Sequence, residues 1–92
     1  MRNFLKELGI EAVGYFSDNN NYIVDIENSD DFNKVFSKLD NSDLLEEDED
    51  LSVVNVNASN IMYFSDKYTI NLIADYDENK YKLVISDGDN NE

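Results

Sequence analysis

The chain has 92 residues, with 7 Lys and Arg against 21 Asp and Glu and a formal net charge of −14. One domain of this size (1–92) buries roughly 60–65% of its unfolded chain's surface, which allows a modest core and leaves little room for a deep substrate cleft. His and Cys are absent, which removes the commonest general base, the thiolate nucleophile, disulfides and the usual zinc ligands.

The first expected element is a short helix over 2–8. Asn3 is placed to cap it, Phe4, Leu5 and Leu8 fall on one face, and Gly9 suits the left-handed position past its end. Glu11 to Ser17 then carries Ala12, Val13, Tyr15 and Phe16, while Tyr22, Val24 and Ile26 alternate with Ile23, Asp25 and Glu27. With Asp18-Asn19-Asn20-Asn21 as the turn, 11–17 and 21–27 read as a β-hairpin. Gly14 inside its first strand marks a bulge or a close backbone approach.

A second helix follows. Ser29 is read as its N-cap, with Asp30 and Asp31 in the first turn, where the helix dipole favours anions. Phe32, Val35, Phe36 and Leu39 fall at i, i+3, i+4 and i+7, with Lys34 and Lys38 on the other side. The helix is expected to stop near Asp40-Asn41.

Asn41 to Asp50 is the acidic segment, and 43–50 reads DLLEEDED, in which six of eight side chains are carboxylates. Ser42 is placed to cap a short, charge-strained helix with Leu44 and Leu45 tucked into the core, and a loop is the other reading. After it the pattern turns to β. Ser52, Val54 and Val56 alternate with Leu51, Val53 and Asn55, 57–60 reads as a turn, and Ile61 to Phe64 is a short apolar run. Beyond a turn at Ser65-Asp66-Lys67, Tyr68, Ile70, Leu72, Ala74 and Tyr76 form one apolar face, opposite Thr69, Asn71, Ile73 and Asp75. Asp77 to Lys80 reads as a four-residue hairpin loop that sets Tyr76 opposite Tyr81, and Tyr81, Leu83 and Ile85 continue the alternation. Ser86 to Glu92 is a polar tail. The expected fold is α+β, an antiparallel sheet of four to five strands with two short helices packed on one side, in the order α-ββ-α-βββ.

Charge speaks about partners. At −14 the chain is repelled by nucleic acid and by anionic lipid, and drawn to basic surfaces, which inside a cell belong mostly to proteins that hold DNA or RNA. Two segments are candidate partner-binding sites. Asp43, Glu46, Glu47, Asp48, Glu49 and Asp50 supply carboxylates at high density, and duplex DNA carries one charge per ~1.7 Å of axis. Asp75, Tyr76, Asp77 and Glu78 form a hairpin tip with an aromatic anchor. Each has a plainer reading, a solvated loop for the first and ordinary turn chemistry for the second.

Calcium is tested by the EF-hand spacing. From Asp75 the third and fifth positions are Asp77 and Asn79, but Lys80 falls where Gly is required; from Asp48, Ser59 falls where Glu is required. Gly9, Gly14 and Gly88 are too scattered for a phosphate loop, and a glycosidase-like carboxylate pair lacks room for a sugar cleft. No metal, no cofactor and no catalytic residue is expected. Without a basic-then-apolar leader or a run near ~18 apolar residues, the expectation is a cytoplasmic protein.

Small size, absence of Cys, strong acidity, Asn and Asp richness and DLLEEDED together resemble the phage-encoded anti-CRISPR and DNA-mimic inhibitors, in overall character rather than by a motif. The resemblance implies a viral protein acting by protein–protein interaction in the host bacterial cytoplasm. It would be a stoichiometric inhibitor that occupies the nucleic-acid site of a basic partner such as a Cas effector. On it, Glu46, Glu47, Asp48, Glu49 and Asp50 would meet Lys and Arg of the target, with no direct contact to nucleic acid or membrane. The alternative is a small structural or interaction module, homodimeric in one version, in which the acidic run is only a solvated loop. Target identity, oligomeric state and strand order are open at this point.

Overall fold

Alternating segments become strands whose apolar side chains meet in rows across one sheet. The computed structural model describes residues 2–10, 14–17, 21–50 and 52–87. Its elements are α1 (Arg2–Leu8), β1 (Tyr15–Phe16), β2 (Tyr22–Ile26), α2 (Ser29–Asp40), β3 (Glu46–Glu47), β4 (Val53–Val54), β5 (Ala58–Phe64), β6 (Tyr68–Asp75) and β7 (Lys80–Asp87). All seven strands belong to one antiparallel sheet in the order β1-β2-β7-β6-β5-β3, and β4 also pairs with β5. The α+β class therefore stands, with more strands than the four to five expected. The unforeseen strand is β3, two residues long and too short to show a period of two, while the alternation read over 51–56 is paired only at the two-residue β4.

Three rows build the core. Tyr22, Ile85, Ile70 and Tyr63 form the first, Val24, Leu83, Leu72 and Ile61 the second, and Ile26, Tyr81, Ala74 and Ser59 the third. All are buried except the half-buried Ile61. Leu5 and Leu8 of α1 and Phe32 and Leu39 of α2 join the same cluster, so both helices cover one face. Each large side chain so buried contributes about 1.5–3 kcal/mol. β7 lies between β2 and β6, and joins the N-terminal hairpin to the rest of the sheet.

The helix ends show which local signals govern. Gly9 has φ +81°, and the N–H groups of Gly9 and Ile10 donate to the carbonyls of Lys6 and Leu5, at 3.0 and 2.9 Å. This is a Schellman ending, and its hydrophobic pair, Leu5 and Ile10, is buried. At the other end, Asn3 lies within α1 rather than before it, which corrects the expected cap. The cap of α2 is Asn28, not Ser29. Asn28 holds the extended backbone a cap needs (φ −153°, ψ 172°), and its Oδ1 accepts from the Asp31 N–H at 2.8 Å.

Two turns are displaced from their expected places. The chain turns at 55–57, because Asn55 Oδ1 accepts from the N–H groups of Asn57 and Ala58, and β5 already begins at Ala58. The last hairpin closes at Asp75 opposite Lys80, so its loop is 76–79 rather than 77–80. Asn79 takes a left-handed conformation (φ 55°) and Asp75 Oδ1 accepts from the Glu78 N–H. Tyr81 therefore faces Ala74 and not Tyr76. In the first hairpin β1 and β2 pair as expected, while 11–13 and the turn at 18–20 lie outside the described residues.

Gly14 is a close approach. Its N–H donates to the Tyr22 hydroxyl at 2.9 Å, and a Cβ there would collide with the Ile23 carbonyl oxygen, a backbone atom that cannot swing aside. Gly14→Ala is expected to lower stability by about 1–3 kcal/mol, read as a lower urea midpoint at unchanged slope.

Candidate functional site: an acidic sheet edge

The acidic segment is not a helix: 42–45 and 48–50 are turns and loop, and Glu46–Glu47 form a two-residue strand. Glu46 pairs with Phe64 and Glu47 with Tyr63 as β3, and the chain returns to β5 with Val53 opposite Asn60 and Val54 opposite Ser59. β3 and β4 thus lie along the same side of β5 as one interrupted edge. A helix over 42–50 would crowd the carboxylates at i, i+3 and i+4, whereas a strand sends neighbours to opposite faces.

The interruption is held by hydrogen bonds. The Asp48 N–H donates to the Met62 carbonyl at 2.8 Å, and the Ser52 N–H donates to the Asp48 carbonyl at 3.0 Å. The Ser52 hydroxyl donates to the Asp48 carbonyl at 2.8 Å and accepts from the Met62 N–H at 3.0 Å. It stands in the ladder where a backbone carbonyl would be. Asp48 also accepts, through Oδ1, from the Asp50 N–H at 3.0 Å, so Glu49 and Asp50 form the tip of a pinned turn. Ser42 closes its own local turn, its Oγ accepting from the Leu44 N–H at 3.2 Å. Leu44 is exposed, against expectation, while Leu45 packs on the core.

Asp43, Glu46, Glu47, Glu49 and Asp50 are exposed and Asp48 is half-buried. Two depressions on this edge share Phe64 as a wall: Glu46 to Asp50 line one, and Asp43, Leu44, Glu46, Ser65 and Asp66 the other. Among the described side chains no Lys comes within ion-pair distance of Glu46, Glu47, Glu49 or Asp50; the Lys80–Glu78 pair, 3.3 Å apart, lies at the far hairpin tip. Glu46, Glu47, Glu49 and Asp50 therefore present their charge without a described counter-cation.

Asp75, Tyr76, Asp77 and Glu78 are at the opposite end of β5. Asp75 pairs with Ala58, five to six residues from Tyr63 and Phe64, or about 17–20 Å along the strand. The structure does not bring the two acidic segments together. Tyr76 is exposed at its rim but leans on the core: its ring lies 6.5 Å from Phe32 and 6.3 Å from Tyr81, and its hydroxyl is 3.2 Å from Ser59 Oγ. Asp77 and Glu78 remain exposed at the tip.

Sequence reading missed Phe64, Asp66, Ser52 and Tyr63 as parts of the acidic edge. Phe64 was visible as the end of an apolar run, but Ser52 carries no signal, since its role depends on the ladder around it. Tyr63, 1% exposed, places a buried hydroxyl without a hydrogen-bond partner behind Glu47. Burial, then the carboxylates of Asp40 and Glu47, push its ionisation well above the ordinary tyrosine value.

Among the described residues no group of three or more acidic side chains is placed to hold a metal ion. No described helix is long and apolar enough to cross a membrane. Comparison with protein-family models, curated proteins and solved structures finds no match to this chain.

Two outcomes test this geometry. Ser52→Ala removes an acceptor from the Met62 N–H and is expected to cost about 1–3 kcal/mol, with faster amide exchange at Met62 and unchanged exchange at Leu72 and Leu83. Tyr63 bears on alkaline stability. Unfolded, it ionises near 10; folded, it stays protonated to higher pH. Above that pH the folded state holds the extra proton, so stability falls as pH rises toward the raised value. Urea melts at a series of alkaline pH values are expected to show a shallower decline for Tyr63→Phe than for the wild type.

Proposed function

We propose that this protein is an acidic inhibitor acting in a bacterial cytoplasm, where it occupies the basic nucleic-acid-binding surface of a defence effector, in the manner of the anti-CRISPR and DNA-mimic proteins. The observation that carries the reading is the acidic edge at 46–50, where Glu46 and Glu47 pair with β5, Glu49 and Asp50 stand on a pinned turn, and these four have no described cation within ion-pair distance. A strand advances ~3.3 Å per residue, and one strand of duplex DNA carries a phosphate every ~3.4 Å. Glu46 and Glu47 are therefore spaced along β3 much as phosphates are along a nucleic-acid strand, with their side chains on opposite faces.

The scaffold matters as much as the charge. A free acidic peptide would lose conformational entropy on binding, whereas β5 and the Ser52 bonds have already fixed this backbone. Phe64, half-buried between the two depressions, offers an apolar contact amid the carboxylates. Counterions released from both surfaces would drive association, so affinity falls as salt rises. The action is occupancy of a site, with no catalytic step and no cofactor. Asp77 and Glu78 belong to a second contact only if the cationic surface extends about 20 Å.

The experiment is capture of basic nucleic-acid-binding proteins from bacterial lysate, followed by displacement of DNA or RNA from each. Wild-type protein is expected to displace nucleic acid, and increasing salt to weaken it. A variant combining Glu46→Gln, Glu47→Gln, Glu49→Gln and Asp50→Asn is expected to lose about 1–4 kcal/mol of binding, roughly 5- to 1,000-fold. Its thermal stability is expected to rise, because repulsion within the chain falls. Failure to displace nucleic acid from any captured partner, or displacement unaffected by the four substitutions, refutes the proposal.

A further inference from the structure

The sheet face away from the helices differs in character from the rest of the molecule. Alternation places Tyr15, Ile23, Val84, Ile73, Met62 and Val53 on it. Tyr15 and Val53 are exposed and the other four half-buried, and none of them joins the core that the helices cover. In a chain of net charge −14, this face carries Asp75 opposite Lys80, Glu46 at its β3 border and, between them, Asp25 directly opposite Lys82 on the neighbouring strand. These two form no ion pair with each other.

We infer that this face is the contact between two copies of the chain. Strongly acidic copies repel one another wherever their carboxylates meet, and here two lysines stand among three carboxylates, so the charge is nearly balanced. The face presents both signs, so a second copy offers each charge an opposite. Two sheets packed face to face stand about 10 Å apart, with inner side chains interdigitating. About five strand positions at ~4.8 Å and some 20 Å of strand give roughly 500 Å² on each copy. Together that is about 1,000 Å², the lower bound for a specific interface. The dimer is therefore weak and concentration-dependent. Phe64 and Glu46 lie at the β3 border of this same face, outside its middle, and the dimer does not depend on what the acidic edge binds.

Sedimentation equilibrium tests it. The dimer fraction is expected to rise across about 10 µM to 1 mM, and to rise further with salt, because screening relieves repulsion between copies. That salt response is opposite in sign to the response at the acidic edge, so the two proposals fail separately. Ile73→Lys is expected to weaken association at least about 10-fold with an unchanged circular dichroism spectrum. Lys82→Glu and Asp25→Lys change exposed positions and keep the fold. Each alone is expected to weaken association, and a 1:1 mixture of the two to restore it. A monomer throughout the concentration range, or a dimer indifferent to Ile73→Lys and to the charge exchange, overturns the inference.

Discussion

Three cross-strand rows over β2, β7, β6 and β5 hold this chain together against its own charge. With 21 carboxylates and 7 basic residues, every compact state carries net repulsion, and burial of the rows must exceed it. The rows depend on β7, the last strand in the chain, which sits between β2 and β6. Without it the β1–β2 hairpin and α2 have no sheet to join. Leu83 and Ile85, both fully buried, stand at the crossing of two rows and the helix layer. The fold therefore closes through contacts between residues about sixty apart in sequence, and loop-closure entropy is met before those contacts form.

The same demand arranges the charge. One sheet face belongs to the core, and the opposite face is nearly neutral at its centre. Carboxylates gather instead at the β3–β4 edge, at the hairpin tip and on the outer side of α2. The edge is where they cost least, because side chains there are solvated on three sides. Tyr63 marks the boundary. It is the outermost residue of its core row, and its hydroxyl lies between the apolar interior and the carboxylates of Asp40 and Glu47.

Periodicity made the helices, the long strands and the core legible from residues alone. Phe32 and Leu39 mark one helix face, and Ile70, Leu72 and Ala74 mark a strand, because burial on one side imposes the period. What was not legible has a common cause. Asn28 displaced Ser29 as a cap, and the hairpin loop slipped by one residue, because each choice lay between polar residues of similar propensity. Backbone geometry decided them: an extended Asn28 in one case, a left-handed Asn79 in the other. The acidic run was recognised as a feature and left between helix and loop; the strand at 46–47 within it was not foreseen. Two-residue strands have no period, and the partner that makes 46–47 a strand lies at 63–64.

A charged edge strand has an ordinary explanation, since carboxylates keep an exposed ladder from pairing with another chain. That explanation covers Glu46 and Glu47 and the break at Asp48, any one of which would block edge pairing. It does not cover the rest. Glu49 and Asp50 project beyond the ladder on a turn that Asp48 and Ser52 hold in place. Protection from pairing requires charge and irregularity, both of which a loose loop supplies. A fixed turn restrains backbone that protection alone would leave free. Binding benefits from that restraint, because an ordered array of charges meets a cationic surface without first losing its own entropy. The hydroxyl of Ser52, more than the number of carboxylates, separates an edge built to present charge from one merely covered by it.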